Sequence, residues 1–581
     1  MKIKGLFAIM ASMLMAMPAT AKSKVVQIKI VETSDVHGCF FPYDFTERKE
    51  KKGSLARVST YVNGLRHKHG DNVILLENGD ILQGQPICYY YNYINKTGNN
   101  VASDIVNYMR YDAQCFGNHD VEVGHEAYDK WISELKCPVL GANIIDTKTD
   151  KPYVQPYKIF NRDGIKVAVI GMLTPAIPSW LSEDLWNGMR FEGIKESMTK
   201  WVEHLQKTEQ PEVIVALLHN GWDNGIVTDQ YVENEAKTVA EQVPGVDIVM
   251  FGHDHRARKE YIKNVDGRDV LCLDPSNNAL KVAEATVTIE INKKGKILKK
   301  IITGDLVDVS EEPVDERLMA AFQSQIDATN KYVDTELGTL TKTIYTRDGF
   351  FGSSDFIDLI HNIQLKVVDA EISFNAPLGY NNKIDKGTIR VSDMFKLYRF
   401  ENNLYVMKMT GKEIRNMLEM SYDQWVNTMT SPDDHIMLLS EETNTDMQRM
   451  GFKNLTFNFD SAAGIDYEVD VTKPDGQKVR ILQMSNGQPF NEDRMYRVAM
   501  NSYRGNGGGE LITLGAGITK EELEDRIIYK SKKDLRQYIM EEIQRMGTIK
   551  PQPNNNWRFV PQKIAEPAIK RDKELLFGKQ Q

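Results

Sequence analysis

Phe116-Gly117-Asn118-His119-Asp120 follows a short apolar stretch, Ala113 to Phe116, and its reading decides the fold. Glycine, amide, imidazole and carboxylate stand in a row just after an apolar run. Four clusters of similar make-up lie elsewhere in the chain: Asp35-Val36-His37, Asn78-Gly79-Asp80, His219-Asn220-Gly221 and Gly252-His253-Asp254-His255. Each follows an apolar run of its own: Val25 to Val31, Val73 to Leu76, Glu212 to Leu218, and Asp247 to Phe251. A further run, Lys166 to Ile170, ends at Gly171. Short β-branched runs of this kind read as buried strands. Helical stretches lie between them, such as Gly53 to His67 and Glu196 to Gln206. Strands alternating with helices imply a layered α/β domain. In such folds sites gather beyond the carboxyl ends of the strands, so residues spread from 35 to 255 can meet.

Carboxylate, imidazole and amide donors suit divalent ions such as Zn, Mn, Co or Mg. Asp35 and His37 sit two apart, so both can reach one ion from an extended loop, and His253 and His255 repeat the spacing. Asp80 is a natural bridge because a carboxylate has two oxygens. The expected cage has Asp35, His37 and His255 on one ion, Asn118, His219 and His253 on the other, and Asp80 shared. Two ions about 3.5–4 Å apart hold a phosphoryl group between them and activate a water. His119 is left over from this set and next to Asn118, so it is expected to face the cleft and protonate a departing alkoxide. Asp120 is expected to orient its ring. Taken singly these signals are weak, since a lone histidine at a strand end is more often structural. Five of the chain's eleven histidines nevertheless fall in the clusters. His67, His69, His125, His204, His361 and His435 read as surface or packing residues.

At 581 residues and 41% apolar, the chain is long enough for two large domains and a connector. Its net charge of -9 argues against polymeric nucleic acid, which needs a basic face. Lys2 and Lys4, the apolar run Leu6 to Met17, and Ala19-Thr20-Ala21 predict a secretory leader over 1–21, cleaved after Ala21, and so a periplasmic or secreted protein. The rival reading is an uncleaved N-terminal anchor, although that run is too short for a stable span. Five cysteines, Cys39, Cys88, Cys115, Cys137 and Cys272, make no disulfide framework, though one pair could bridge. We expect a monomer acting on a small anionic substrate, without a stable membrane anchor.

The metal-bearing domain is expected over 24–308, closed by the alternating segments Lys281 to Ile291 and Ile297 to Asp308. Ser310-Glu-Glu-Pro313 then reads as the start of a linker helix, within 309–335, with Ser310 as the N-cap. An α+β domain is expected over 336–562. Its helices are placed at Ser354 to Val368, Gly411 to Trp425 and Ser531 to Met546, and its strands at Ala370 to Phe374, Leu404 to Met409 and Met495 to Met500. Residues 563–581 read as a charged, mobile tail.

The series D-x-H, G-D, G-N-H-D, H-N-G and G-H-x-H resembles the calcineurin-like metallophosphoesterase signature. Asp80-Ile-Leu-Gln-Gly-Gln-Pro86 and Gly124 are similar to the secreted 5′-nucleotidase branch, over nearly the whole mature chain. The resemblance implies an α/β metallophosphoesterase domain joined by a helix to an α+β nucleotide-recognition domain, with a nucleobase held between two aromatic rings of the latter. The matching stretches, Phe457-Asn-Phe-Asp460 and Asn501-Ser-Tyr503-Arg-Gly-Asn-Gly-Gly-Gly509, place that clamp on Phe457 and Tyr503, with Asn375, Asn458 and Asp460 at the substrate. The rival reading makes Phe457 a core residue and the glycines a turn. Phe374-Asn375-Ala-Pro-Leu-Gly-Tyr380 lacks the arginine typical of 5′-nucleotidases. Leu359-Ile-His-Asn-Ile-Gln364, Asn375-Ala-Pro377 and Phe457-Asn-Phe-Asp460 look more like the 2′,3′-cyclic-nucleotide 2′-phosphodiesterase/3′-nucleotidase relatives. The implied reaction is hydrolysis of nucleotide phosphate esters. Sugar-diphosphate or sulfur-ester hydrolysis on the same centre is the alternative, and a non-enzymatic nucleotide-binding protein a third. With the metals and the clamp on different domains, closure about the linker is expected to gate turnover.

Overall fold

The computed structural model describes residues 23–440 and 451–578. The expected leader over 1–21 and residues 579–581 of the expected tail lie outside the described residues. Val213–His219 (VIVALLH) is buried at every position, as a strand covered on both faces must be. It lies inside a six-stranded sheet with Ile165–Leu173 on one side and Ile248–Phe251 on the other, both parallel to it. A second six-stranded sheet carries Lys24–Thr33, Val73–Glu77, Ala113–Cys115 and Val139–Leu140 in parallel order. The antiparallel pair Lys281–Ile291 and Ile297–Asp308 continues it beyond Lys24–Thr33, which is the hairpin read from the alternation.

The two sheets face each other through one apolar layer. Ile28, Ile30, Ile74, Leu76 and Cys115 of one sheet pack with Val167, Val169, Val215, Leu217 and Met250 of the other. Helices cover the outer faces. Leu55–His69 buries Leu55, Val58, Val62 and Leu65, apolar positions three and four apart that make one stripe. Ser54 caps it by accepting the amide of Arg57 at 3.3 Å. Ile194–Thr208 covers the sheet of Val213–His219 through Ile194, Met198, Val202 and Leu205. The carboxyl ends of the parallel strands, Thr33, Glu77, Cys115, His219 and Phe251, open onto one rim.

The linker departs from expectation. It is two helices, Glu316–Ala321 and Gln323–Val333, and the cap is Asp315 rather than Ser310. The Asp315 carboxylate accepts the amides of Arg317 (3.0 Å) and Leu318 (3.2 Å), a stronger cap than a hydroxyl with one acceptor site used. Leu318, Phe322, Ile326 and Val333 belong to the same apolar cluster as the helices of the first domain, so the linker is part of that domain's packing.

The second domain has a five-stranded sheet in the order Ser461–Ala463, Ile372–Asn375, Met495–Asn501, Asn403–Thr410, Ile527–Asp534. Gly411–Trp425 forms a helix as read. The helix expected from Ser531 instead begins at Leu535, because Asp534 caps it through the Gln537 amide at 3.0 Å and 527–534 pairs as an edge strand. The expected tail is a helix, Gln562–Phe577. Ala565 and Ala568 are buried in the domain core, and the fully buried Asp572 carboxylate accepts the amides of Ile436 (2.8 Å) and Met437 (3.0 Å) and faces His435 Nδ1 at 2.6 Å. All five cysteines are free. No helix among the described residues is long and apolar enough to cross a membrane.

Asp572 thus pins the last helix. Asp572→Ala leaves two buried amides unpaired, at about 1–3 kcal/mol each. Calorimetry should show the second domain melting several degrees lower with the first domain's transition unmoved; an unchanged thermogram would contradict this role.

Candidate metal centre

The rim residues meet because short loops after the strands turn sharply and bind to one another. Asp35 N donates to Gly79 O (3.0 Å) and His37 N to Asp80 O (2.9 Å). Asp35, His37, Asp80, His253 and His255 all have left-handed backbone, with φ between 48° and 76°. That conformation is costly for residues with a Cβ and is stored at functional sites. Gly117 is required by close approach: a Cβ there would stand 2.1 Å from Asp80 Oδ1.

One half of the centre groups Asp35, His37, Asp80 and His255, with a donor atom from each within 4.8 Å of the others. His37 Nε2 lies 3.1 Å from His255 Nε2, and His255 Nε2 lies 3.2 Å from Asp35 Oδ1. In the other half, Asn118 Oδ1 stands 3.1 Å from His219 Nε2 and 2.8 Å from His253 Nδ1. Asp80 Oδ2 is 3.3 Å from His219 Nε2 and 3.8 Å from His37 Nε2, so it stands between the two halves. All seven residues expected as ligands therefore come together.

The donor chemistry shows that the set fits cations. His37 Nδ1 faces the Gln83 carbonyl (3.1 Å), His219 Nδ1 the Asn78 carbonyl (2.6 Å), and His253 Nε2 the Glu233 carboxylate (3.2 Å). Each of those nitrogens donates its proton to the oxygen behind it and turns the opposite nitrogen inward, the orientation of a metal-ligating imidazole. In the absence of bound cations the inward nitrogen of His219 is protonated as well: burial lowers its pKa, but Asp80 and Asp35 outweigh that and raise it to about 10, so a divalent ion would take the place of this proton beside the buried carboxylates. Asp35 Oδ1 is buried without a hydrogen-bond donor. Burial pulls the His37 imidazole down to about 3, so it is a neutral donor. Burial works against ionised Asp80, but His219 and His119 outweigh it and hold the carboxyl well below its usual range. Below the cage, burial pushes Glu32 and Glu77 well above the ordinary carboxylate range.

His119 lies beside the cage, its ring centroid 5.5 Å from that of His37, and its backbone amide donates to Asp80 Oδ1 at 2.9 Å. Its ring partner is Glu122, bonded to Nδ1, not Asp120 as expected. Asp120 is fully buried and spends its oxygens on four backbone amides: Asp80 and Gly117 (2.9 Å each) on one, Ile81 (2.9 Å) and Leu82 (2.8 Å) on the other. Glu122 is one helical turn from His119 on Asn118–Glu122, a spacing that brings side chains together. Burial lowers the His119 pKa, but Asp80 and Glu122 outweigh it and raise it to about 9. The sequence reading missed Glu122 and also Glu233. The i, i+3 spacing was the available signal for the first; nothing local marks the second.

On the second domain, Phe457 and Tyr503 meet edge to face, centroids 5.8 Å apart at 90°. One ring must turn before a flat base lies between both. Asp460 is corrected: its carboxylate is buried and takes Arg504 Nε at 2.6 Å. Arg504, also missed, donates to the Phe457 carbonyl (3.0 Å) and Asn458 Oδ1 (3.3 Å). Asp460 and Asn458 therefore hold the loop under the rings. Asn375 is 1% exposed on its strand, and neither its Oδ1 nor its Nδ2 has a hydrogen-bond partner. Trp180 bridges toward the cage, its ring 5.7 Å from that of His253 and its carbonyl 3.4 Å from Asn506 Nδ2.

Comparison with known proteins agrees with this geometry. Residues 28–257 match the calcineurin-like phosphoesterase family and residues 336–515 the 5′-nucleotidase C-terminal domain. The chain is 26% identical to a Haemophilus influenzae 2′,3′-cyclic-nucleotide 2′-phosphodiesterase/3′-nucleotidase, over 94% of this chain and 89% of that protein. It is likewise 26% identical to the Salmonella typhimurium protein of the same name, over 94% and 90%. A solved Staphylococcus aureus structure, in complex with alpha-ketoglutarate, superposes with a TM-score of 0.76 at 21% identity, covering 92% of this chain and 99% of that one; at that identity the likeness is one of fold. The chain belongs to the two-domain proteins that join a calcineurin-like phosphoesterase domain to a 5′-nucleotidase C-terminal domain.

Proposed function

We propose that the chain is an exported phosphoesterase that binds two divalent ions and hydrolyses nucleotide phosphate esters, 2′,3′-cyclic and 3′-nucleotides ahead of 5′-nucleotides. The observation that carries this is the inward convergence of ligand-type atoms from Asp35, His37, Asp80, Asn118, His219, His253 and His255. The basic start, apolar run and small-residue site of 1–21 support export. The preference among esters rests on the names of the Haemophilus and Salmonella relatives and on the absence of arginine in Phe374 to Tyr380.

Asp35, His37 and His255 would hold one ion, Asn118, His219 and His253 the other, and Asp80 would bridge them. Bound ions supply Lewis acidity toward the phosphoryl oxygens and an activated water. The protein supplies the rest. With Nδ1–H committed to Glu122, His119 presents Nε2 to the cleft and delivers a proton there to the departing alkoxide oxygen. Glu122 keeps that ring oriented and favours its protonated form. Phe457 and Tyr503 stack the base and so position the ester at the cage.

Metal analysis of protein loaded with Mn or Zn should find two ions per chain, and Asp80→Ala should lose at least one of them. His119→Ala should keep both ions and lower kcat by about 10²–10⁴-fold, with Glu122→Gln losing less. A full metal complement in Asp80→Ala contradicts the bridge.

Chromatographic analysis of the products formed from 2′,3′-cyclic AMP, 3′-AMP, AMP and UDP-glucose tests the substrate class. The first two should be turned over fastest, and Phe457→Ala with Tyr503→Ala should raise KM. Turnover of UDP-glucose alone would move the centre to sugar diphosphates, and turnover of none would sink the reading.

A further inference from the structure

A short hairpin of the first domain meets the second domain away from the cage. Its strands Tyr43–Asp44 and Lys49–Glu50 pair antiparallel, and in its turn the Glu47 carboxylate lies 3.6 Å from Lys396 Nζ, on the second-domain helix Val391–Leu397. Nearby is a two-stranded ribbon of the second domain, Ile344–Tyr345 against Lys383–Ile384, with Tyr345 directly across from Lys383. Thr346 pins the ribbon, its hydroxyl accepting the Asn382 amide at 2.8 Å. Hairpin, helix and ribbon border a cavity of about 630 Å³, within the roughly 300–1,000 Å³ of small-molecule sites. None of the seven donor residues lines it, nor do Phe457 and Tyr503, so it is separate from both the cage and the ring pair.

The cavity is cationic although the chain carries a net charge of -9. Lys49, Arg347, Lys383 and Lys396 line it, against the carboxylates of Glu47 and Asp385. Lys383 pairs with Asp385 at 3.1 Å. The Lys396 side chain is only 16% exposed and stands 3.6 Å from Glu47 and 3.9 Å from Asp393, too far for a good hydrogen bond. Among the described residues neither Lys49 nor Arg347 has a carboxylate partner. The Arg347 guanidinium lies over the Tyr345 ring, 4.5 Å from its centre, and its Nη1 donates to the neutral Asn381 Oδ1 at 3.3 Å. Its Nε is shielded from solvent and has no hydrogen-bond partner. A guanidinium already fixed by a ring and an amide, with a donor unspent, is preorganised for an oxyanion, and its fork matches two phosphate oxygens. Cations gathered in this way repel one another until an anion joins them.

We propose that this cavity is a second, non-catalytic anion site that holds the phosphoryl group of a small molecule, with Arg347 and Lys396 as the contacts from the second domain and Lys49 as the contact from the first. The volume suits a nucleoside phosphate better than a lone phosphate ion. Because both domains supply cations, the bound anion joins them. The inference goes beyond the phosphoesterase reading and does not depend on it.

Calorimetry on the metal-loaded protein would use a nucleoside phosphonate, whose carbon–phosphorus bond no phosphoesterase hydrolyses. Two equivalents should bind per chain, one at the cage and one in this cavity. Arg347→Ala should weaken one of them by about 10–100-fold and leave the other, the metal content and the turnover of 3′-AMP as in wild type. Arg347→Lys should lose less, since it keeps the charge without the fork. Lys49→Ala, at an exposed side chain whose removal leaves folding intact, should weaken the same equivalent. Inorganic phosphate and the unphosphorylated nucleoside are the control arms. Weaker binding of phosphate than of phosphonate assigns the site to nucleotides, and equal binding supports it with free phosphate as the source. Equal binding of the nucleoside overturns it, as does unchanged affinity for both equivalents in Arg347→Ala and Lys49→Ala. Should the phosphoesterase reading fail, one equivalent remains in the wild type, and Arg347→Ala should still weaken it.

Discussion

The carboxylate of Asp120 organises the rim. Its four amide bonds tie residues 80–82, after one strand, to Gly117, after the next. Hydrogen bonds to a charged acceptor are worth about 1.5–3 kcal/mol each, and here they are shielded from water. They fix Asp80 in its left-handed conformation (φ 59°), which aims its two oxygens in different directions. Oδ1 accepts the His119 amide, and Oδ2 looks into the cage toward His219 and His37. The position of Asp80 between the two half-cages and the placement of His119 beside them are thus consequences of one buried anion. Gly79 and Gly117 follow from the same packing. A Cβ on Gly79 would stand 2.6 Å from Gly117 N, and one on Gly117 would strike Asp80.

Such a rim is expensive without cations. Five of the seven donor residues adopt backbone that side chains disfavour, and the buried carboxylates of Asp35 and Asp80 repel one another. The surroundings limit the cost. His219 and His119 offset the charge of Asp80 and hold its carboxyl well below the usual range, and beneath the rim burial drives Glu32 and Glu77 above their usual range. What repulsion remains is concentrated where the two half-cages meet at Asp80, the place where bound positive charge is worth most.

The strand ends were legible because each combines two independent signals, a continuous apolar run and a polar cluster at its carboxyl end. The repetition of that pair fixed both the layered fold and the seven donors. What failed to show was anything depending on contacts across the fold. Asp120 was read as the partner of His119 because it is adjacent in sequence, whereas a helix starting at Asn118 turns Asp120 inward and Glu122 alongside. Ser310 has the composition of a cap, but Asp315 satisfies two amides. The last helix looked like a solvated tail because its charges are visible in the sequence, while the apolar groove that receives Ala565 and Ala568 is assembled from distant segments. Asp460 resembled a ligand-facing acid until Arg504, 44 residues on in the chain, supplied its counter-charge.

The division of labour between the domains follows from what each kind of backbone can hold. Parallel strands deliver many loop ends to one rim, which suits a cage needing seven side chains. The ring pair needs a wall rather than a cage, and the loop of Gly507 to Gly509 provides it. A Cβ on Gly508 would stand 2.5 Å from the Tyr503 ring, so only glycine lets the ring lie flat on the chain. Arg536 couples the two, since the guanidinium that donates to the Tyr398 (3.0 Å) and Arg399 (2.6 Å) carbonyls of the second domain also packs 4.8 Å from the ring of Tyr89, whose hydroxyl donates to Asp534 at 2.7 Å. The linker helices are packed into the first domain's core and Arg536 packs on Tyr89 across the domains, so the spacing between ring pair and cage is set by side-chain packing rather than by the length of the linker.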